Sequence, residues 1–150
     1  MEKYHAILQV KVYRVAQLML KREEVFFKNF NLTQKQFNIL RILRGVYPNS
    51  ISLKEVGERM IDSASDVTRL TARLIKKELI IVSTNKVDKR YKDAALTKSG
   101  MSLLNQIDGV ALEKMKTGIQ HLTETECNTL SELLDKITSD DPLANNVKVR

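Results

Sequence analysis

Only two prolines, Pro48 and Pro142, and five glycines interrupt the 150 residues of this chain. Proline removes a backbone donor and glycine costs helical stability, so a chain this poor in both is free to be helical almost throughout. Helix starts are marked by side chains instead. Leu32-Thr33-Gln34-Lys35-Gln36, Ser52-Leu53-Lys54-Glu55 and Thr123-Glu124-Thr125-Glu126 read as capping boxes, in which a hydroxyl residue and a Glu or Gln three positions on satisfy each other's backbone N–H. The fold class that follows is mainly α.

Ile7, Leu8, Val12, Val15, Leu18 and Met19 recur at helical spacing and predict one long helix over residues 4–29. Val10, Tyr13, Ala16 and Leu20 broaden its stripe, so this helix should meet both its own core and another subunit. Thr33 opens a helix carrying Phe37, Leu40, Ile42 and Leu43 to Arg44, ended by Gly45 and Pro48. Ser52 opens a short helix through Met60. Asp62 and Ser63 are N-cap candidates for a third, running to Lys77 with Val67, Leu70, Leu74 and Ile75 inward. The apolar run Leu79–Val82 and the segment Tyr91–Leu96 flank a polar, turn-like stretch, which predicts a small β-hairpin. Thr97 caps a helix with Leu103, Leu104, Ile107, Val110, Leu112 and Met115, and the last helix carries Leu130, Leu133, Leu134 and Ile137. A polar tail follows over residues 138–150.

Helices followed by a two-stranded hairpin make a winged helix-turn-helix pattern. The third of these helices has a polar face of Ser63, Ser65, Asp66, Arg69, Thr71 and Arg73, suited to base edges in a major groove. The hairpin tip holds Lys86, Asp88, Lys89 and Arg90, suited to phosphates and a minor groove, with Asp88 steadying the arginine through charge-assisted hydrogen bonds. The charge agrees: residues 1–100 carry 20 basic and 10 acidic groups, residues 101–150 carry 5 and 8. A basic body with an acidic end suggests double-stranded DNA as partner. An ordinary solvated turn and a solubilising charge excess are the plainer readings. A winged-helix protein-interaction module without DNA binding is the alternative function. There is no glycine-rich phosphate loop, Ser-His-Asp grouping or metal triad, so no enzyme and no cofactor are expected. The single cysteine, Cys127, permits no intramolecular disulfide, and no apolar run is long enough for a bilayer, so the protein is expected in the cytoplasm.

Through LTQKQFNIL, SLKEVGERM, VTRLTARLIKKEL and DKRYKDAALTKSG, roughly Leu32 to Leu104, the chain resembles the multiple-antibiotic-resistance regulator (MarR) family. The Asp-x-Arg pair followed by Leu-Thr-x-x-Gly is the most specific part. The resemblance implies a winged helix-turn-helix lobe over about 32–100. It implies an obligate homodimer through helices within about 4–29 and 101–137, and a pseudo-palindromic operator under repression. By position it implies that Ser65, Thr68, Arg69 and Arg73 belong to the recognition helix and that Asp88 and Arg90 are the wing pair. Glu78 stands where the family usually has glycine, so the easy left-handed cap is not expected there. Ser83, Thr84 and Asn85 occupy wing positions often basic in relatives, and Asp66 and Asp93 add negative charge near the DNA face.

The resemblance also implies a small aromatic or phenolic effector, held between the dimer helices and the DNA-binding lobe. Candidate walls are Tyr13, Arg14, Phe37 and Arg41, although the simpler reading makes Tyr13 and Phe37 core. Cys127 reads as inert, since no basic cluster beside it in sequence lowers its pKa. His5 and His121 are too isolated for metal-site spacing.

Overall fold

The computed structural model describes residues 2–60, 66–115 and 119–139, with backbone alone for Glu2 and residues 112–115. Its first helix, α1 (Glu2–Lys28), runs 27 residues and meets α2 (Gln34–Arg44) at an elbow built from all four phenylalanines of the chain. Phe26 packs edge-on against Phe27 and Phe30 at 5.2 and 5.3 Å between ring centroids, and Phe27 lies 4.5 Å from Phe37 of α2. The capping box at Thr33 is complete. The Gln36 N–H donates to Thr33 Oγ1 at 3.2 Å, and the Thr33 N–H donates to Gln36 Oε1 at 3.1 Å. Gln36 is thereby satisfied although buried.

Beyond α2 come β1 (Ile51–Ser52), α3 (Leu53–Arg59), α4 (Val67–Lys76), β2 (Ile80–Thr84), β3 (Lys92–Leu96), α5 (Lys98–Met115) and α6 (Glu124–Thr138). The sheet has three antiparallel strands in the order β1-β3-β2, with Ile80 opposite Leu96 and Thr84 opposite Lys92. The expected hairpin is therefore joined by a third strand, Ile51 and Ser52 pairing with Ala94 and Asp93. Two residues are too few to carry an alternating pattern. The box at Ser52 is only half made. Its side chain accepts from the Glu55 N–H at 3.1 Å, while the Glu55 carboxylate turns forward to pair with Arg59. Gly45 is right-handed (φ −63°), so α2 ends without the left-handed glycine turn. The box at Thr123 is complete.

The core joins one face of each lobe helix: Ile39, Leu40 and Leu43 from α2, Val56 from α3, and Val67, Leu70 and Leu74 from α4. Leu104 and Ile107 of α5 and Ala94 and Leu96 of β3 close it. An Arg44–Asp108 ion pair of 2.5 Å ties α2 to α5. On α4 the inward face differs from expectation. Ile75 is 43% exposed, whereas Thr71, read as polar surface, is buried. Positions 67, 70, 71 and 74 are the true i, i+3, i+4, i+7 stripe. Thr71 can sit inside it because its hydroxyl donates to the carbonyls of Val67 and Thr68 at 2.8 and 3.0 Å.

Both α1 and α4 end in left-handed turns without glycine. Asn31 has φ 53° and Glu78 has φ 58°. The Glu78 N–H donates to the Ile75 carbonyl at 2.8 Å and the Leu79 N–H to the Leu74 carbonyl at 3.1 Å, the two bonds of a Schellman cap. Glu78 thus adopts the conformation it was expected to forgo. The surroundings over-determine it. Leu79 is buried, its carbonyl accepts from the Thr97 N–H at 3.1 Å, and Thr97 Oγ1 donates to the Glu78 carbonyl at 2.8 Å and accepts from the Gly100 N–H at 3.0 Å. A Cβ on Gly100 would stand 2.3 Å from the Leu79 carbonyl oxygen, so only glycine fits there. Glu78→Gly should therefore stabilise the fold by about 0.5–1 kcal/mol: relief of the left-handed penalty, less the larger unfolded-state entropy of glycine. Thermal denaturation checks this, and an unchanged or lower midpoint would remove the account of strain at Glu78.

Candidate nucleic-acid interface

The outer face of α4 follows from its inner one. With Val67, Leu70, Thr71 and Leu74 buried, Thr68, Arg69, Arg73 and Lys76 face solvent. Arg69, Arg73 and Lys76 form a cationic line along the helix at spacings of four and three. Asp66 holds the N-cap position but makes no cap hydrogen bond. Its carboxylate reaches Arg69 instead, with Oδ1 and Oδ2 at 2.7 and 2.8 Å from Nε and Oδ2 also paired with Nη2. This hydrogen bond, helped by the charges of Arg69, Arg73 and Lys35, holds the Asp66 carboxyl below the usual aspartate range, and the same bond, with the carboxylate's charge, raises Arg69. Ser63 and Ser65, two of the candidate base-reading residues, and the N-cap candidate Asp62 lie outside the described residues.

The wing loop, residues 85–91, is organised by Asn85, which in sequence reads only as a departure from the basic residues usual there. Asn85 Oδ1 accepts from the backbone N–H groups of Val87 and Asp88 at 2.8 and 2.9 Å, while its Nδ2 donates to both oxygens of Asp93 at 3.0 and 2.8 Å. The Asn85 N–H donates to the Tyr91 carbonyl at 2.9 Å and closes the loop. An asparagine at the end of a strand, before a polar stretch, is the signal that could have found it. Asp93 is accordingly part of the wing's frame. Asp88 and Arg90 pair as expected: Arg90 Nε lies 3.0 and 3.2 Å from the two carboxylate oxygens, Nη2 lies 2.7 Å from Oδ2, and the Arg90 N–H also reaches Oδ1 at 3.0 Å. These bonds hold the Asp88 carboxyl low. Arg90 remains 85% exposed, and Lys86 and Lys89 are exposed beside it.

Between the elbow and the end of α4 lies a recess of about 320 Å³, lined by Lys28, Thr33, Gln36, Arg73, Lys76 and Lys77 among others. Lys77 donates to the Asn31 carbonyl and, at 3.4 Å, to Gln36 Oε1. Burial, then the neighbouring Arg73, pushes the Lys77 ammonium down. None of the candidate effector residues lines this recess. Arg41 stands over the Phe37 ring at 5.9 Å, so those two are together. Tyr13 and Arg14 are set back from the elbow by about 20 Å of α1, at about 1.5 Å of rise per residue. Tyr13 is 66% exposed and so is not core within one chain, whereas Phe37 packs on the core as expected.

The family model for the MarR family matches residues 32–92. The chain is 30% identical over 106 residues to the uncharacterized HTH-type transcriptional regulator YpoP of Bacillus subtilis (strain 168), covering 71% of this chain and 74% of that protein. The chain belongs to the MarR family. A MarR-like transcription regulator from Bacillus cereus ATCC 10987 shares the fold with a TM-score of 0.79 at 21% identity, over 91% of this chain and 97% of that one. A mutant MarR from E. coli, crystallised with operator DNA, superposes with a TM-score of 0.70 at 24% identity, over 87% and 92%. The mainly α winged helix-turn-helix fold read from the sequence of this MarR protein is thus the fold it has. Among the described residues, no helix is long and apolar enough to cross a membrane, and no group of three or more His, Cys, Asp or Glu could hold a metal ion.

The two arginine–carboxylate pairs can be checked without any ligand. In a carboxyl-detected NMR titration, Asp66 and Asp88 should titrate below the ordinary aspartate value of about 3.9. Arg69→Ala should return Asp66 upward and leave Asp88 alone, and Arg90→Ala should do the reverse. Because both folded pKa values are depressed, each pair's contribution is present above the unfolded value and disappears as pH falls through the folded one.

Proposed function

We propose that this MarR-family protein is a sequence-specific transcriptional repressor that binds a pseudo-palindromic operator as a homodimer. The observation that carries the reading is the cationic line Arg69–Arg73–Lys76 on α4, opposite the face that packs the core and in the same lobe as an exposed Arg90 wing. Thr68 and Arg69, in the first turn of α4, meet base edges, and Ser63 and Ser65, which precede that helix in the sequence, are assigned to the same readout. Arg73, further along, meets phosphates. Arg90 enters the minor groove, with Asp88 orienting it and Lys86 and Lys89 on the flanking backbone. The E. coli relative seen with operator DNA supports the reading through the shared fold.

Binding titrations on a DNA fragment selected from random sequence test the assignment. Arg90→Ala should weaken binding at least several-fold and leave the melting temperature unchanged, since the tip is exposed. Arg73→Ala should weaken selected and scrambled DNA alike and lower the salt slope by about one unit for each phosphate that the arginine neutralises, in each subunit. Unchanged affinity in both variants would remove DNA from this face.

The dimer reading rests on apolar surface that one chain leaves uncovered. Ile7, Leu8, Val15, Leu18 and Met19 on α1 and Leu130, Leu133, Leu134 and Ile137 on α6 are between 42% and 55% exposed. No residue of α6 is buried. Surface of that kind marks an interface. Sedimentation at micromolar concentration should give about twice the chain mass of 17.2 kDa. A clean monomer would take the palindromic operator with it. Release by a small aromatic or phenolic effector completes the proposal on the family resemblance. Phe37 and Arg41 of α2 are proposed for its site; Tyr13 and Arg14, about 20 Å along α1, do not share a small molecule with them within one chain. Regulation of DNA assigns the protein to the cytoplasm.

A further inference from the structure

Asp66 is a negative charge at the head of a helix whose outer face is otherwise cationic, where it repels phosphate. An aspartate at an N-cap ordinarily accepts a backbone N–H of the first turn, a bond worth about 1 kcal/mol. Asp66 makes no such bond. Both of its oxygens go to Arg69, one turn on, and they take one particular edge of the guanidinium: Nε at 2.7 and 2.8 Å, and Nη2. A guanidinium has five N–H groups in a planar fork. With the Nε–Nη2 edge taken, the edge left free is the end, formed by Nη1 and the second hydrogen of Nη2. Two parallel donors at that spacing match O6 and N7 of guanine, the bidentate contact that distinguishes it from the other bases in the major groove.

We propose that Asp66 is a specificity-determining residue: by clamping the side edge of Arg69 it presents the end edge to a guanine in each half-site and withholds the arginine from phosphates. The proposal rests on the DNA-binding reading of α4. Arg69 is 57% exposed on its side chain, long and rotatable, so without a clamp it has many phosphates within reach and little reason to stay on one base. The clamp fixes the plane of the fork before DNA arrives, so less rotamer freedom is lost on binding. The carboxylate also faces incoming DNA, where it repels phosphate and can accept only from an amino group such as cytosine N4 on a neighbouring pair. Asp66 therefore lowers general attraction and raises selectivity together. Arg90 is held by the same side edge, Nε and Nη2, on Asp88, so the arrangement recurs at the wing arginine.

The test compares wild type, Asp66→Ala, Asp66→Asn, Arg69→Ala and the double variant Asp66→Ala/Arg69→Ala. Each is measured against the selected operator, against operators changed at single base pairs, and against scrambled DNA. Asp66→Ala should bind scrambled DNA more tightly than wild type and lose about tenfold of the preference at one guanine per half-site, the same pair at which Arg69→Ala loses preference. Asp66→Asn, which keeps one acceptor and loses the charge, should fall between. The double variant should lose no more at that pair than Arg69→Ala alone, because both act through one interaction. Circular dichroism confirms that each variant folds. If Asp66→Ala tightens operator and scrambled DNA by the same factor, with base preferences intact, Asp66 is a plain repulsive charge and the proposal is overturned. A wild-type protein that selects no sequence overturns the DNA-binding reading itself, and this proposal with it.

Discussion

The orientation of everything that projects from the lobe depends on one turn, Glu78–Leu79. The recognition helix ends there, the wing begins there, and α5 is held against it through Thr97 and Gly100. The Leu79 backbone serves three elements at once. Its N–H closes the cap on α4, its carbonyl accepts from Thr97 beyond β3, and its side chain enters the core. A left-handed residue turns the end of a helix sharply into the strand that follows it. The chain meets that demand with a glutamate, which is tolerable because the surrounding bonds leave no other conformation open. The proposed groove and wing contacts are thereby set relative to each other by backbone geometry, not by the long side chains assigned to them.

Much of this is legible from residues alone. Long apolar stripes and two of the three capping boxes locate the helices, and the continuous apolar run Leu79–Val82 before a polar stretch locates the wing. Sequence fails where tertiary contacts choose between local options. Glu55 has two partners available and takes Arg59. Thr71 looks like surface because its hydroxyl is polar, yet the helix's own carbonyls satisfy it. Glu78 looks unable to cap because intrinsic preference is against it, and the knot around Leu79 outweighs that preference. At the interface, sequence names the arginines. It does not show which edge of each is occupied, because a carboxylate three residues away has equal access to backbone and to side chain.

The aspartates illustrate the same limit. Of Asp66, Asp88 and Asp93, the first and last look in sequence like charge that opposes DNA, and Asp88 looks like a brace for Arg90. In the fold each has a definite hydrogen-bond partner, Arg69, Arg90 and Asn85. Two hold arginines and one holds the residue that shapes the wing loop. Net charge over residues 1–100 is therefore a coarse guide to this surface, and the pairing of individual charges carries more of its chemistry.

The length of α1 has a mechanical consequence. Twenty-seven residues make a rod about 40 Å long, rigid along its hydrogen-bonded backbone and fixed at one end to the lobe by the phenylalanine elbow. In the proposed dimer the other end sits among the pairing helices. Such a rod is a lever. A tilt of about 5° at the pairing end carries the elbow, and the lobe with it, by about 3.5 Å, close to the rise of about 3.4 Å between neighbouring bases of one strand. A change too small to disturb packing at the far end is thus magnified into a full step of misregister between the two reading heads. Control of such a molecule need never touch the surface that reads.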